Sequence, residues 1–338
     1  MKRPLKLAIF LCPALLFCFL ACQNAADRGN EESQAVLGRP GVAALTDSIR
    51  RFPGEASLYF RRAEWLAQAS EPLLASADYG RSWELKPDQQ TGYRFAANLS
   101  ILGRQRQRIR LLRDAVNRFP SDMEFKRLLG ETLAQSGHPA EALQLYKDIL
   151  ARDSSNAEAW YESGLIWEQA RDTLSAIRCL ARAFSVQPVN TYALELAQLY
   201  AEARMPQALK LCDQVIRQDS ARELVDPFFI KGIYYSNTGQ YARSTVFFDS
   251  CIARDWKFTD AYIEKGIALF KLKDYDRALR SFRMASQVTN TSPDAYYWAG
   301  RCYEMNHQTE EAALNYERAL ALDKDFAQAR EALRRVKG

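Results

Sequence analysis

Apolar and polar residues follow a helical period along the stretch from Ala157 to Asn190. Two groups of residues each share one helical face, first Trp160, Gly164 and Trp167, and then Ala176, Leu180 and Ala183. Apolar residues at i, i+3 or i+4 and i+7 indicate amphipathic helices, and small residues mark places where two helices approach closely. A short polar turn separates the groups, so the stretch predicts an antiparallel helix pair that ends near Pro188.

The same pattern recurs every 34 residues over most of the chain. Small residues recur at Gly130, Gly164, Gly232, Gly266 and Gly300, and large apolar residues at Tyr146, Leu180, Phe248, Phe282 and Tyr316. A fixed period of this length is the signature of a repeat architecture. The period fails near Gln198, where a shortened turn and a lengthened connection predict an intact but irregular repeat.

These residues resemble the signature positions of the tetratricopeptide repeat family. The resemblance implies an all-α, right-handed superhelical solenoid of about eight helix pairs, spanning 56–326, with a capping helix in 39–55 and another in 327–338. Stacked repeats bury one another's faces. We therefore expect Trp160 and Phe282 to be interior.

The N-terminus has a different pattern, with three basic residues in Met1–Lys6 followed by the apolar run Leu7–Leu20. A run of this length is short for a bilayer span, which needs about 20 residues, and predicts a signal peptide over 1–21. The junction Ala21-Cys22 resembles the cleavage site of bacterial lipoproteins, although Phe19 stands where that site usually has leucine. Ordinary cleavage and an uncleaved anchor are the alternatives.

The lipoprotein resemblance implies that Cys22 is the lipidated (palmitate-bearing) first residue of the mature chain. Polar residues then predict a flexible tether within 22–38. By the same resemblance, the absence of aspartate directly after Cys22 favours an outer-membrane lipoprotein that faces the periplasm.

Composition indicates a foldable chain, with 48% apolar and 26% charged residues. Without the signal peptide, 43 basic residues face 41 acidic ones, which offers no case for nucleic acid as a partner. Six arginines are concentrated at Arg104, Arg106, Arg108, Arg110, Arg113 and Arg118. They form either a basic surface for anionic lipid or an acidic partner, or a solvated turn and outer helix face.

Candidate chemistry is sparse. The two histidines, His138 and His307, fall in predicted turns, and no catalytic, phosphate-binding or metal-binding motif occurs. We therefore expect no catalytic residues, cofactor, metal or small-molecule substrate, and consider a hydrolase the least favoured class. Outside the signal and anchor, the cysteines are Cys179, Cys212, Cys251 and Cys302. Their apolar positions favour buried free thiols, with disulfides as the alternative.

The family resemblance implies that the first helix of each repeat lines a groove for a protein or peptide partner. The candidate groove residues are Tyr161, Phe229, Ile233, Ile263, Ile267, Phe270, Tyr297 and Arg301. We expect the apolar members to be exposed and Arg301 to meet a carboxylate. The clamp that some family members use for chaperone tails needs lysine and asparagine where this chain has Arg127 and Glu131, so that activity is not supported.

Together these features predict a membrane-anchored interaction scaffold, adaptor or assembly factor for a cell-envelope complex. The alternative is a structural envelope component that associates with itself. The two hypotheses differ in oligomeric state, because only the second requires a stable oligomer of the chain alone.

The anchor is tested at Cys22. We expect Cys22→Ala to leave the precursor unlipidated and its signal uncleaved at this site, because lipid attachment and cleavage both depend on the thiol. Mass spectrometry of the membrane-fraction protein measures both. A variant that is processed and fractionates like the wild type contradicts the lipoprotein prediction.

Overall fold

The computed structural model describes residues 33–338, so the predicted signal peptide and Cys22 lie outside the described residues. Residues 33–37 are helical. The eighteen helices that follow are α1 (Pro40–Arg51), α2 (Ala56–Gln68), α3 (Pro72–Leu85), α4 (Gln89–Ile101), α5 (Gln105–Arg118), α6 (Met123–Gln135), α7 (Pro139–Arg152), α8 (Ala157–Gln169), α9 (Thr173–Val186), α10 (Asn190–Glu202), α11 (Gln207–Gln218), α12 (Asp226–Asn237), α13 (Tyr241–Arg254), α14 (Thr259–Lys271), α15 (Tyr275–Val288), α16 (Pro293–Met305), α17 (Thr309–Leu322) and α18 (Ala327–Lys337).

The order of these helices confirms the predicted all-α class. Helices α2 to α17 form eight consecutive pairs between the terminal helices α1 and α18, and no strand occurs within 33–338. The chain divides into two compact units, Met1–Leu145 and Tyr146–Gly338, with the boundary inside α7. They are called unit 1 and unit 2 below.

The folded part of unit 1 begins before the predicted tether ends. Val36 is 7% exposed and belongs to a core with Val42 and Leu66, against which Leu37 also packs. The prediction that the tether extends to residue 38 is therefore wrong at its C-terminal end. The polar composition of the preceding residues hid the apolar pair Val36 and Leu37, which bury enough surface to hold this segment on α1.

The arginine run of unit 1 does not form one basic surface. Arg108 is 5% exposed, and its guanidinium lies 3.7 Å from a Glu131 carboxylate oxygen. Arg113 pairs with Glu141, and Arg118 pairs with Asp114 one turn away on the same helix. At least half of the run is therefore used within the unit, which favours its interpretation as part of an ordinary packed and solvated helix.

Close approach of two helices defines each regular repeat of unit 2. A Cβ added to Gly266 of α14 would lie 2.5 Å from the Phe282 ring of α15, and one on Gly300 would lie 2.6 Å from the Tyr316 ring. Real Cβ atoms do not approach other atoms this closely, so only glycine fits. Phe282 and Tyr316 are both fully buried. The small and large positions of the 34-residue period are thus two sides of one contact.

The irregular repeat, α10 and α11, keeps the contact with different residues. Ala197 and Ala208 are fully buried where the strict period places Gln198 and Lys210. Ala197 comes one position early because the connection before α10, residues 187–189, is one residue shorter than the connections before α8, α14 and α16. Ala208 comes two positions early because it is the second residue of α11, whereas Ala176 is the fourth residue of α9. The prediction of an intact but irregular repeat agrees with this arrangement.

Trp160 differs from the expectation that it is interior. Its side chain is only partly buried, and its indole Nε1 donates a hydrogen bond to the Ser154 carbonyl oxygen, 3.0 Å away. The helical period places Trp160 on the packed face, but the indole bonds to the connection that precedes α8 and stays partly exposed. Phe282, in contrast, is interior as expected.

The glycine contact is tested by a double-mutant cycle at Gly266 and Phe282. Phe282→Ala should cost about 3–5 kcal/mol of unfolding free energy through the cavity it leaves. Gly266→Ala should cost about 1–3 kcal/mol through overpacking. The double variant should cost less than the sum, because the new methyl group occupies part of the cavity.

Urea denaturation with circular dichroism measures all three values, and exposed Gln287→Ala on α15 serves as the control. Strict additivity would show that the two side chains do not compete for the same space.

Candidate partner-binding face

Each first helix in unit 2 has one side packed against the second helix of its repeat and another side outside that contact. On α14, Gly266, Ala268 and Leu269 are buried toward the core. The side chains on the other face, Asp260, Ile263, Glu264 and Ile267, are not buried. They are spaced i, i+3, i+4 and i+7 and therefore share one face. We call the equivalent surface of α8, α10, α12, α14 and α16 the first-helix face.

The eight candidate groove residues lie on α8, α12, α14 and α16. All eight are intermediate in exposure. Ile263, Ile267 and Phe270 pack against the core around Phe282, and Ile233 packs against the core of the preceding irregular repeat. Phe229 contacts the rings of Phe248 and Phe258, with centroids 5.7 and 5.0 Å away.

The expectation of an openly exposed apolar patch is therefore wrong. The most exposed large apolar side chains of unit 2 are Leu174, Trp256 and Val246, and none of them is on a first helix. The isoleucines lie in the seams between neighbouring repeats, where each is half covered. A helical period places a residue on a face but does not tell how far the adjacent repeat covers it.

Arg301 is also more engaged than expected. Its guanidinium lies over the rings of Phe270 and Trp298, at 5.4 and 5.9 Å, and donates a 3.2 Å hydrogen bond to the hydroxyl of Tyr297. It is 3.9 Å from a carboxylate oxygen of Glu304 on its own helix. These contacts hold the side chain against α16, so the predicted role as a free cation for a partner carboxylate lacks structural support.

The remaining candidates are aromatic and stacked. The ring of Tyr161 stacks on Tyr192 of α10 with centroids 4.6 Å apart, and Tyr297 contacts Phe326 at 5.1 Å. Tyr161 lies close to acidic side chains, and burial, followed by Glu195 and Glu162, raises its pKa to about 12. Each tyrosine thus contacts an aromatic ring outside its own helix and is partly exposed.

The same face also carries carboxylates, which were not among the candidates predicted from the sequence. Asp226, Asp260 and Asp294 recur every 34 residues at the starts of α12, α14 and α16. Glu195 and Glu264 are each the sixth residue of their helix. This acidic period is visible in the sequence beside the apolar one.

These carboxylates lack the partners that carboxylates elsewhere in unit 2 have. Within 33–338, no hydrogen bond or ion pair of the side chain is found for Glu168, Glu195, Asp226, Asp260, Glu264 and Asp294. Elsewhere in the same unit, Asp213 pairs with Lys231 at 2.6 Å, Asp249 with Lys265 at 2.5 Å and Glu304 with Arg335 at 2.7 Å.

Burial and like charge raise the pKa values of four of these unpaired groups, Glu168, Glu195, Glu264 and Asp294. Burial, followed by the charges of Asp260 and Asp294, raises the pKa of Glu264 to about 7. Burial and Asp226 raise the pKa of Glu195, and burial, Asp260 and Asp323 raise that of Asp294. By contrast, the Arg335 hydrogen bond lowers the pKa of Glu304. The first-helix face is thus a surface of partly desolvated negative charge.

The other reactive groups offer no competing site in the described part of the chain. Cys179, Cys212, Cys251 and Cys302 are buried free thiols, as expected, and burial raises the pKa of Cys212, Cys251 and Cys302 to about 12. His138 and His307 are exposed in turns. Within 33–338, no three metal-ligating side chains cluster, and no helix has the length and apolar character to cross a membrane.

Helix pairs of this length define the class of helical repeat proteins when they stack in series. In each regular repeat of unit 2, a small residue on the first helix packs against a large side chain on the second. The tetratricopeptide repeat family model matches residues 109–157, 127–177 and 263–325. Solved structures of such proteins have the same fold. The chain therefore has the tetratricopeptide repeat fold.

Several known proteins are similar to parts of it. Human DnaJ homolog subfamily C member 7 is 27% identical over 205 residues, which is 61% of this chain and 38% of the relative, and the mouse protein is 26% identical over the same length. The chain thus spans well under half of these relatives.

Two structures share the fold. Cut9 in the APC/C hetero-tetramer Cut9-Hcn1 has a TM-score of 0.52 at 16% identity, covering 86% of this chain and 57% of that one. PilW, a type IV pilus biogenesis factor, has a TM-score of 0.55 at 15% identity, covering 64% and 98%.

The desolvated charge at Glu264 predicts a pH-dependent stability. Its pKa is about 7 in the folded chain and 4.5 for an ordinary, solvated glutamate, so the folded state retains a proton that the unfolded state loses between these pH values. The free energy of unfolding therefore falls as pH rises through this window. Glu264→Gln removes the charge and should stabilise the protein by about 1–3 kcal/mol at pH 8, with little effect at pH 4.

Thermal and urea unfolding at the two pH values measure the difference, with exposed Glu310→Gln as the control. A stabilisation of equal size at both pH values would show that the carboxylate is not desolvated.

Proposed function

We propose that this protein is a lipid-anchored adaptor or assembly factor of a bacterial cell envelope, facing the periplasm from the outer membrane. Its tetratricopeptide fold is that of a protein-interaction scaffold. The lipoprotein-like Ala21-Cys22 junction supports the anchor, and the first-helix face of unit 2 is the part of the fold that binds a partner segment.

The observation that carries this proposal is the distribution of unsatisfied groups in unit 2. The opposite faces of the first helices are buried in the core. The carboxylates Asp213 and Asp249 of the second helices have lysine partners. On the first-helix face, half-covered isoleucines stand beside carboxylates without partners. Because the exposed part of these apolar side chains and the uncompensated charge add nothing to folding, a surface that combines them is suited to contact with another chain.

The binding role is tested with Ile263→Ser/Ile267→Ser. We expect this double variant to bind a partner, recovered by cross-linking from detergent-solubilised envelope, at least about tenfold more weakly than the wild type, which corresponds to about 1.4 kcal/mol. Biolayer interferometry gives the affinities, and circular dichroism checks that the variant is folded.

The matched control is Val246→Ser/Leu314→Ser, which removes two exposed apolar side chains from second helices of the same unit. Full affinity in the isoleucine variant together with weakened binding in the control would move the site to the second helices. A stable oligomer of the purified wild type, seen by size exclusion with light scattering, would favour the self-associating structural component instead.

A further inference from the structure

The carboxylates of the first-helix face form a line that crosses repeats. Asp226, Asp260 and Asp294 occupy the same place in three successive first helices, and Glu264 lies one turn after Asp260 on α14. Helices α12 and α14 contact each other directly, and so do α14 and α16. Consistent with this proximity, Asp260 acts electrostatically on both Glu264 and Asp294.

Helix capping explains only part of this line. Asp226, Asp260 and Asp294 lie in first turns, where the positive end of the helix favours a carboxylate. Glu264 and Glu195 lie six residues into their helices, beyond the reach of that effect. Capping also leaves unexplained why no lysine or arginine of the described chain pairs with any of these five groups, in a unit where other carboxylates have such partners.

Aliphatic side chains run beside the acidic line. Ile263 and Ile267 of α14 alternate with Asp260 and Glu264 on the same face, and Ile233 occupies the corresponding place on α12. Each isoleucine is half covered by its neighbours. A ligand on this face therefore meets both negative charge and apolar surface.

Building on the proposed function, we infer that the first-helix face of unit 2 binds an extended, positively charged polypeptide segment that carries aliphatic side chains between its basic residues. The occupant follows from charge complementarity, because lysine or arginine would compensate carboxylates that the protein itself leaves unpaired. Aliphatic side chains would complete the half-covered surfaces of the isoleucines. This chemistry is opposite to the acidic partner expected from Arg301.

The spacing of the helices specifies the form of the segment. Packed helices lie 8–10 Å apart, so the acidic groups of neighbouring repeats recur at about that interval. A polyproline-II segment rises about 3.1 Å per residue with three residues per turn, which places every third side chain on one side at about 9 Å intervals. Basic residues at every third position therefore match one carboxylate per repeat.

The inference is tested with a short fluorescein-labelled peptide that has lysine at every third position and leucine and proline between. Two other peptides serve as controls, one with glutamate in place of lysine and one with the same composition but the lysines gathered at one end. Fluorescence polarisation should show the periodic lysine peptide binding wild-type protein at least about tenfold more tightly than either control peptide. Raising the salt concentration should weaken the binding of the periodic lysine peptide.

The protein variants are Glu264→Gln/Asp294→Asn and the charge-matched control Glu310→Gln/Glu311→Gln on α17, whose carboxylates are exposed. We expect the first pair to lose about tenfold in affinity and the second to bind as the wild type does. Unchanged binding in Glu264→Gln/Asp294→Asn overturns the inference, and equal losses in both variants reduce it to general attraction between opposite charges. Circular dichroism confirms that each variant is folded.

Other occupants would be recognised by different results. Equal binding of the two lysine peptides overturns the extended arrangement, and competition by spermidine as strong as that of the peptide identifies a polyamine site. An oligomer that Glu264→Gln/Asp294→Asn dissociates identifies a second copy of this chain. If the recovered partner is lost in Ile263→Ser/Ile267→Ser but retained in the charge variant, the adaptor function stands and only the cationic ligand is wrong.

Discussion

The close contact between a glycine on one helix and an aromatic ring on the next is the constraint on which unit 2 depends. Gly266 and Gly300 admit the rings of Phe282 and Tyr316 at distances that no Cβ tolerates. This contact sets both the separation and the rotation of the two helices in a repeat. Once the rotation is set, it also determines which side of the first helix remains outside the core.

The stacking of the repeats also determines how far the apolar and acidic side chains of the first-helix face are exposed to water. The packing of neighbouring repeats partly buries Ile263 and Ile267, and burial on the same face removes water from the carboxylate of Glu264. Two like charges brought together in a poorly hydrated seam repel more strongly than in bulk water. The raised pKa of Glu264 is therefore a consequence of how the repeats stack.

Much of the fold could be predicted from the sequence because the helix contact has a periodic signature. Glycine and aromatic residues recur 34 residues apart, and even the irregular repeat could be located by the failure of that period at Gln198. The end of the tether could not, since Val36 is a single buried residue in a polar stretch and has no period. Trp160 shows the same limit at the level of one side chain, because periodicity gives its direction but not its reach.

The candidate face was predicted less well than the fold. The sequence pattern placed the isoleucines on the correct helices. How far their side chains are buried depends on the stacking of the adjacent repeat, which no local pattern encodes. Arg301 was misjudged for the same reason, since Phe270, over whose ring its guanidinium lies, belongs to the first helix of the preceding repeat. The carboxylates had a visible period, but their importance rests on missing partners, and only a structure reveals those.

An unpaired, desolvated carboxylate has a thermodynamic consequence that links folding to binding. The protein folds with Glu264 and its neighbours at a cost in stability, because their charges lose water and gain repulsion without a compensating cation. A ligand that supplies the cation recovers this cost, so part of its affinity comes from relief of a penalty already present in the free protein. Because such a ligand binds only the folded state, it raises the free energy of unfolding in proportion to the logarithm of its concentration. The same substitution, Glu264→Gln, should therefore make the free protein more stable and its binding of a cationic segment weaker, a combination that a purely structural role for this side chain does not produce.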